Sequence, residues 1–300
     1  MKTWIVFLTL SFLCSISFAA DSAERTKIMT EMRGMFGIVP TFMKEFPPDG
    51  LPGAWEEFKA IQLSPDTALD SKTKELIGLA VSSQIPCRYC VYFHKKAAIF
   101  NRAKDSEMKM AIAVAAMTRK WSTYMTGSQQ DLGKFKSEID KMVAHLKNQK
   151  QEATMESAKL SDAASAYKDM ASNLGHTPEF TKSYAENGIA GAWTEYRDLQ
   201  MNPKTVLPGK AKDLISLAVS SQIPCDYCVY ADTEFAKLNG ASMQEIKETI
   251  ALAGIVRHWS TFLNGLRQDE KAFEKEVDQI FRHLERNKNL APKKVSFMEN

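Results

Sequence analysis

The sequence predicts an all-α chain in which one helical domain is written twice. Three observations carry that reading. Apolar residues recur at helical spacing, as in Met110, Val114, Met117 and Trp121. Period-two alternation and Val/Ile/Thr-rich runs, the marks of strands, are missing. Finally, Glu75–His94 (ELIGLAVSSQIPCRYCVYFH) recurs as Asp213–Asp232 (DLISLAVSSQIPCDYCVYAD), with fifteen identities in twenty positions.

The offset is 138 residues (225 − 87) and it aligns the flanking sequence as well. Gly53-Ala54-Trp55 matches Gly191-Ala192-Trp193, Arg119–Thr123 matches Arg257–Thr261, and Gly127 matches Gly265, with no gap from Gly37/Gly175 onward. Solenoid repeats have periods of roughly 20–50 residues, so these are domain copies rather than solenoid units. We assign residues 21–150 to the first copy and 151–300 to the second, each near the usual domain length of about 150 residues. The polar stretch Lys147–Ser161 (KNQKQEATMESAKLS) makes the join.

Residues 1–20 read as a secretory signal. Lys2 supplies the positive start, Trp4 to Phe18 is apolar apart from Thr and Ser, and Ser17-Phe18-Ala19 presents small residues for cleavage after Ala19 or Ala20. The alternative is a retained anchor, but the run is shorter than the ~20 residues a span needs. Cys14 lacks the preceding small residues of a lipid-attachment site. The mature chain is expected to be secreted or periplasmic, with no membrane association after cleavage.

Within each copy the helices follow in order. The apolar run Leu76–Val81 comes after Asp70-Ser71, which can cap a helix start. Pro86 suits the first turn of a second helix. A third is predicted from about Ser106 to Tyr124, with Gly127 to stop it, and Gln129–Leu146 supplies a fourth. The Met and aromatic positions Met110, Met117, Trp121 and Trp259 are read as core packing.

Composition narrows the function classes. A hydrophobic fraction of 44% supports a buried core and excludes collagen-like or disordered chains. Lys+Arg 39 against Asp+Glu 36 leaves +3, too balanced for an electrostatic grip on nucleic acid.

Chemistry is concentrated at the cysteines. Without Cys14 four remain, as Cys87-Arg88-Tyr89-Cys90 and Cys225-Asp226-Tyr227-Cys228, an even count that suits two disulfides in an exported chain. At a helix start the unpaired N–H groups favour a thiolate, and Cys-x-x-Cys spacing lets the sulfurs meet. His94 lies four residues after Cys90, on the same helical face, where an imidazole can take a thiol proton. Glu75, twelve residues before Cys87, could orient that histidine. Two other readings suit the same spacing: closed structural staples, or one zinc ion held by both pairs. Val91 stands where a c-type haem motif needs histidine. Tyr89, Tyr92, Tyr227 and Tyr230 read as packing rather than pocket residues.

Glu-x11-Cys-x2-Cys-x3-His within that segment resembles the alkyl hydroperoxidase AhpD-like family of the carboxymuconolactone decarboxylase superfamily. Phe36-Gly37, Pro40-Thr41-Phe42 and Trp55 are similar too, and the likeness covers nearly all of the mature chain twice over. The resemblance implies an all-α fold, trimeric or hexameric assembly, and thiol-dependent peroxidase or disulfide-reductase chemistry with no cofactor or metal beyond a redox-active disulfide. It makes Cys90 the peroxide-attacking nucleophile, passing through a sulfenic acid. Cys87 is then proton donor and resolving thiol, and His94 and Glu75 are the relay. Implied partners are a hydroperoxide or disulfide substrate and a thioredoxin-like exported electron donor, with a trimer of tandem chains as the simple assembly.

The second copy departs from that pattern: Asp213 replaces Glu75 and Asp232 replaces His94. An ionised Asp232 would raise the pKa of Cys228, so Cys225–Cys228 is expected to be a slow or structural disulfide. His258, where the first copy has Lys120, could compensate from another helix. A non-catalytic assembly or binding module is the competing function. Lactone-acid decarboxylation would not need the paired cysteines.

Overall fold

The computed structural model describes residues 23–148 and 159–288, and every regular element among them is helical. The predicted signal and most of the predicted join lie outside those residues. No helix among the described residues is long and apolar enough to cross a membrane.

The first copy contains α1 (23–36), α2 (Thr41–Glu45), α3 (Leu51–Glu57), α4 (Ser71–Gln84), α5 (Arg88–Phe100), α6 (Asp105–Ser128) and α7 (Leu132–Asn148). The second repeats the order as α8 (Ala163–Leu174), α9 (Glu179–Lys182), α10 (Glu186–Tyr196), α11 (Gly209–Gln222), α12 (Asp226–Leu238), α13 (Met243–Leu266) and α14 (Glu270–Lys288). Both α3 and α10 run on into a π-helical turn, Phe58–Leu63 and Arg197–Met201.

Local signals explain the boundaries. Asp70 caps α4, its carboxylate accepting from the Thr73 N–H at 3.0 Å, a contact worth about 1 kcal/mol. Helix α6 runs through Gly127 and turns at Gln129, which takes the left-handed conformation. The glycine expected to stop the helix is therefore inside it, and its neighbourhood is open. Pro86 lies outside α5, one residue before its cap, because Cys87 takes the capping position. Val114, Met117 and Trp259 are buried as expected, Met110 is half-buried, and Met117 and Trp121 both face a cavity described below.

The described residues fall into two compact units that do not follow the repeat: 23–64 with 262–288, and 65–261. In the first unit α14, from the second copy, packs on the first copy's opening helices. The Thr41 N–H donates to Glu276 at 3.0 Å, Phe42 meets Phe273 at 6.1 Å, and the His283 ring lies against Gly37. In the second unit α7, from the first copy, makes the same contacts with the second copy's opening helices. Glu179 N–H donates to Glu138 at 3.0 Å, Phe180 meets Phe135 at 5.1 Å, and His145 lies against Gly175. Gly37 and Gly175 have positive φ (77° and 82°), and a Cβ there would strike the histidine ring. Each copy's last helix is thus exchanged. Periodicity marks the apolar face of α7 but not the partner that covers it.

Within the second unit α4 packs against α5, α6 and α11, and α11 against α6 and α12. Helices α4 and α11 are buried along most of their length, Leu76–Ser82 and Leu214–Ser220 included. These two central helices present Glu75 and Asp213 to the cysteine-bearing helices α5 and α12.

Candidate active site

In the first copy Cys87 is the capping residue of α5, and its sulfur accepts the Cys90 N–H at 3.3 Å. Cys87 and Cys90 are joined as a disulfide, with Cα atoms 5.4 Å apart. The helix N-terminus therefore bears directly on Cys87, while Cys90 sits inside the first turn. Both are buried, Cys87 completely and Cys90 to 5% exposure.

His94 is one turn beyond Cys90 on α5, and its Nδ1 lies 2.8 Å from Glu75 Oε2 on α4. Both side chains are buried. A carboxylate only accepts, so Nδ1 carries the hydrogen and Nε2 is left as the proton-accepting nitrogen of the ring. The four residues singled out from the sequence are thus brought together, two on α5, one at its cap and one on the helix behind.

What holds the ring there is Gly78, which sequence reasoning did not single out. It lies one turn after Glu75 on α4, and a Cβ at that position would overlap three atoms of the His94 ring. The imidazole packs on bare helix backbone, and Phe93 meets it edge-on at 5.2 Å. A signal was present: the repeat differs at only five of twenty positions. Four of those differences, Glu75/Asp213, Gly78/Ser216, Phe93/Ala231 and His94/Asp232, fall on residues of these two sites.

In the second copy Cys225 caps α12 in the same way, accepting the Cys228 N–H at 3.3 Å, and the two form a disulfide. Each pair is closed within itself, and no group of three or more His, Cys, Asp or Glu placed to hold a metal ion occurs among the described residues. Asp213 does not reach across to a histidine. It accepts instead from Gln200 at 2.8 Å and Asn239 at 2.6 Å. Burial pushes its pKa up to about 6 against those two hydrogen bonds. Neighbouring Lys212 is turned away, donating to Leu199, Asn202 and Thr205, and burial brings its pKa down to about 8.

Asp232 occupies the His94 position. Burial, reinforced by the charge of Asp213 and opposed by a hydrogen bond from Ser220, pushes its pKa well above the ordinary carboxyl value, which works against the thiolate-repelling anion that ionisation would make it. His258 is exposed on α13, edge-on to Trp259, and does not line the cavity at Cys228. Of the tyrosines, Tyr227 and Tyr230 pack as expected: Tyr227 donates to the Gln130 carbonyl at 2.5 Å and Tyr230 to Asp140 at 2.7 Å, both tying α12 toward α7.

A helical repeat with a Cys-x-x-Cys pair capping one helix of each copy, backed by an acidic residue on a buried central helix, defines the class of protein. The family model for the carboxymuconolactone decarboxylase family matches residues 50–129 and again 188–271, and the chain belongs to that family as a tandem two-copy member. Among solved structures, a putative gamma-carboxymuconolactone decarboxylase subunit from Burkholderia xenovorans LB400 is similar. It is 14% identical, with 88% of this chain and 98% of that chain covered and a TM-score of 0.49. No curated protein sequence matches.

Proposed function

We propose that the first copy is the active site of an exported thiol-dependent peroxidase or disulfide oxidoreductase. The observation that carries this reading is the buried His94–Glu75 pair, 2.8 Å apart and one helical turn beyond Cys90. A structural staple needs no such pair, and burying two ionisable groups is costly unless they serve each other.

In the reduced site the Cys90 thiolate attacks the distal oxygen of a hydroperoxide. The O–O bond breaks, Cys90 is oxidised to a sulfenic acid, and the departing alkoxide takes a proton supplied by Cys87 through His94. The Cys87 thiolate then displaces hydroxide from the Cys90 sulfur. That hydroxide leaves as water with a proton from the relay, and the Cys87–Cys90 disulfide closes. An exported thioredoxin-like dithiol returns two electrons and two protons by thiol–disulfide exchange. The second copy lacks the histidine and serves assembly, with three tandem chains forming the oligomer.

The burial of all four cysteines favours a second reading, a non-catalytic module stapled by two disulfides. Hydroperoxide consumption with a dithiol reductant separates the two. Turnover that disappears in Cys90→Ser and in His94→Asp supports the peroxidase. Equal background rates in all three proteins support the module.

A further inference from the structure

A partly open cavity of about 100 Å³ reaches Cys228 and Asp232 of the second copy, with α6 and α7 of the first copy supplying part of its wall. Its position follows from the repeat. Where the first copy has Phe93 and His94, the second has Ala231 and Asp232, so two rings are missing and both replacements line the space. The walls are apolar and adaptable, with Met117, Met142, Phe180, Trp193 and Phe235 among them.

Three lining residues each leave one buried polar atom without a hydrogen-bond partner among the described residues: Trp121 Nε1, Gln200 Oε1 and Asp232 Oδ2. Gln200 is more than nine-tenths buried, and its amide nitrogen is committed to Asp213, which fixes the orphan as the acceptor oxygen. Unsatisfied buried polar groups are costly, so three around one apolar cavity point to a guest that satisfies them. The set comprises a donor, an acceptor and a carboxyl oxygen, the complement of a hydroxyl, which both donates and accepts. Among the described residues no Lys, Arg or His lines the space, so an anion would find no counter-charge from them.

We propose that this cavity is a binding site for a small uncharged molecule with an apolar, ring-sized body and a hydroxyl group, a phenol or its like. The hydroxyl donates to Gln200 Oε1 or Asp232 Oδ2 and accepts from Trp121 Nε1, while the ring lies among the methionine and aromatic side chains. The proposal is independent of the chemistry at Cys90, because it uses none of Glu75, Cys87, Cys90 and His94.

The test uses the protein carrying both copies, with phenol, toluene and benzoate as probes at neutral pH. Indole N–H resonances are followed by NMR, and the Trp121 signal is assigned with Trp121→Phe. Phenol should move the Trp121 signal saturably and bind about tenfold more tightly than toluene, the worth of one or two net hydrogen bonds. Benzoate should leave it in place. Asp232→Leu should bring phenol down toward toluene, and Ala231→Leu, which fills the cavity, should abolish both. The proposal is overturned if phenol leaves the Trp121 signal unmoved, if toluene or benzoate matches phenol, or if phenol binds Ala231→Leu unchanged. Should the variants not fold, the probe series on the unaltered protein decides alone.

Discussion

Gly78→Ala is the sharpest perturbation of the first site. On an open helix the change would stabilise, because alanine is favoured over glycine by roughly 0.5–1 kcal/mol. At Gly78 the added methyl overlaps Nδ1, Cε1 and Cγ of His94, on a helix whose surroundings are buried on every side. Overpacking of this kind costs about 1–3 kcal/mol. If the ring moves instead, the bond to Glu75 breaks, and a buried charge-assisted hydrogen bond is worth about 1.5–3 kcal/mol. Against the propensity gain the net expectation is a loss of about 1–3 kcal/mol, with peroxide turnover falling toward the His94→Asp level. Urea denaturation and hydroperoxide assays measure the two effects. Gly127→Ala is the control, since Gly127 lies within α6 with nothing inside 4 Å of its would-be Cβ, and it should stabilise. A Gly78→Ala protein as stable and active as Gly127→Ala would refute the packing argument.

Other predictions follow the same geometry. Asp232→His alone should destabilise, because Ser216 stands where Gly78 makes room for the ring, while Ser216→Gly added to it should restore about 1–3 kcal/mol in a double-mutant cycle by urea melts. Asp213 has a folded pKa of about 6 against an ordinary 3.8, so the folded state binds the extra proton and stability falls as pH rises from about 4 through about 6. Asp213→Asn should flatten that slope and gain on the order of 2 kcal/mol at pH 8; pH-dependent urea midpoints check it. Asp169 accepts from the Trp193 indole at 2.6 Å and pairs at 3.1 Å with Arg197, which is 1% exposed. Asp169→Ala leaves that guanidinium only Asp198 among these two acids and should cost about 2–4 kcal/mol, seen as a lowered melting temperature.

The fold class, the duplication and the four-residue site were legible because each is a local pattern. Helical periodicity, a cap at Asp70 and the spacing from Cys90 to His94 are all short-range, and the structure brings Glu75 to His94 as the spacing allowed. The exchange of α7 and α14 was not legible, since an amphipathic helix reports that a face is covered and not which copy covers it. Gly127 was misread for a related reason: a glycine inside an open helix and a glycine that ends one look alike until the following residue's conformation is known. Gly78 and the cavity required reading the two copies against each other, where the few differences at Gly78/Ser216, Phe93/Ala231 and His94/Asp232 cluster in space. The upward push on the Asp232 pKa comes from burial, which one sequence does not display.

The central claim, that Cys90 is the peroxide-attacking sulfur, is tested most directly by trapping its sulfenic acid. Reduced Cys87→Ser protein, which cannot resolve the intermediate, is treated with one equivalent of hydroperoxide and a sulfenic-acid-specific dione, then mapped by mass spectrometry. The adduct should appear on Cys90, should vanish when His94→Asp is added, and should be far weaker on Cys228 of Cys225→Ser. Equal labelling of Cys90 with and without His94, or labelling on Cys228 alone, would contradict the claim.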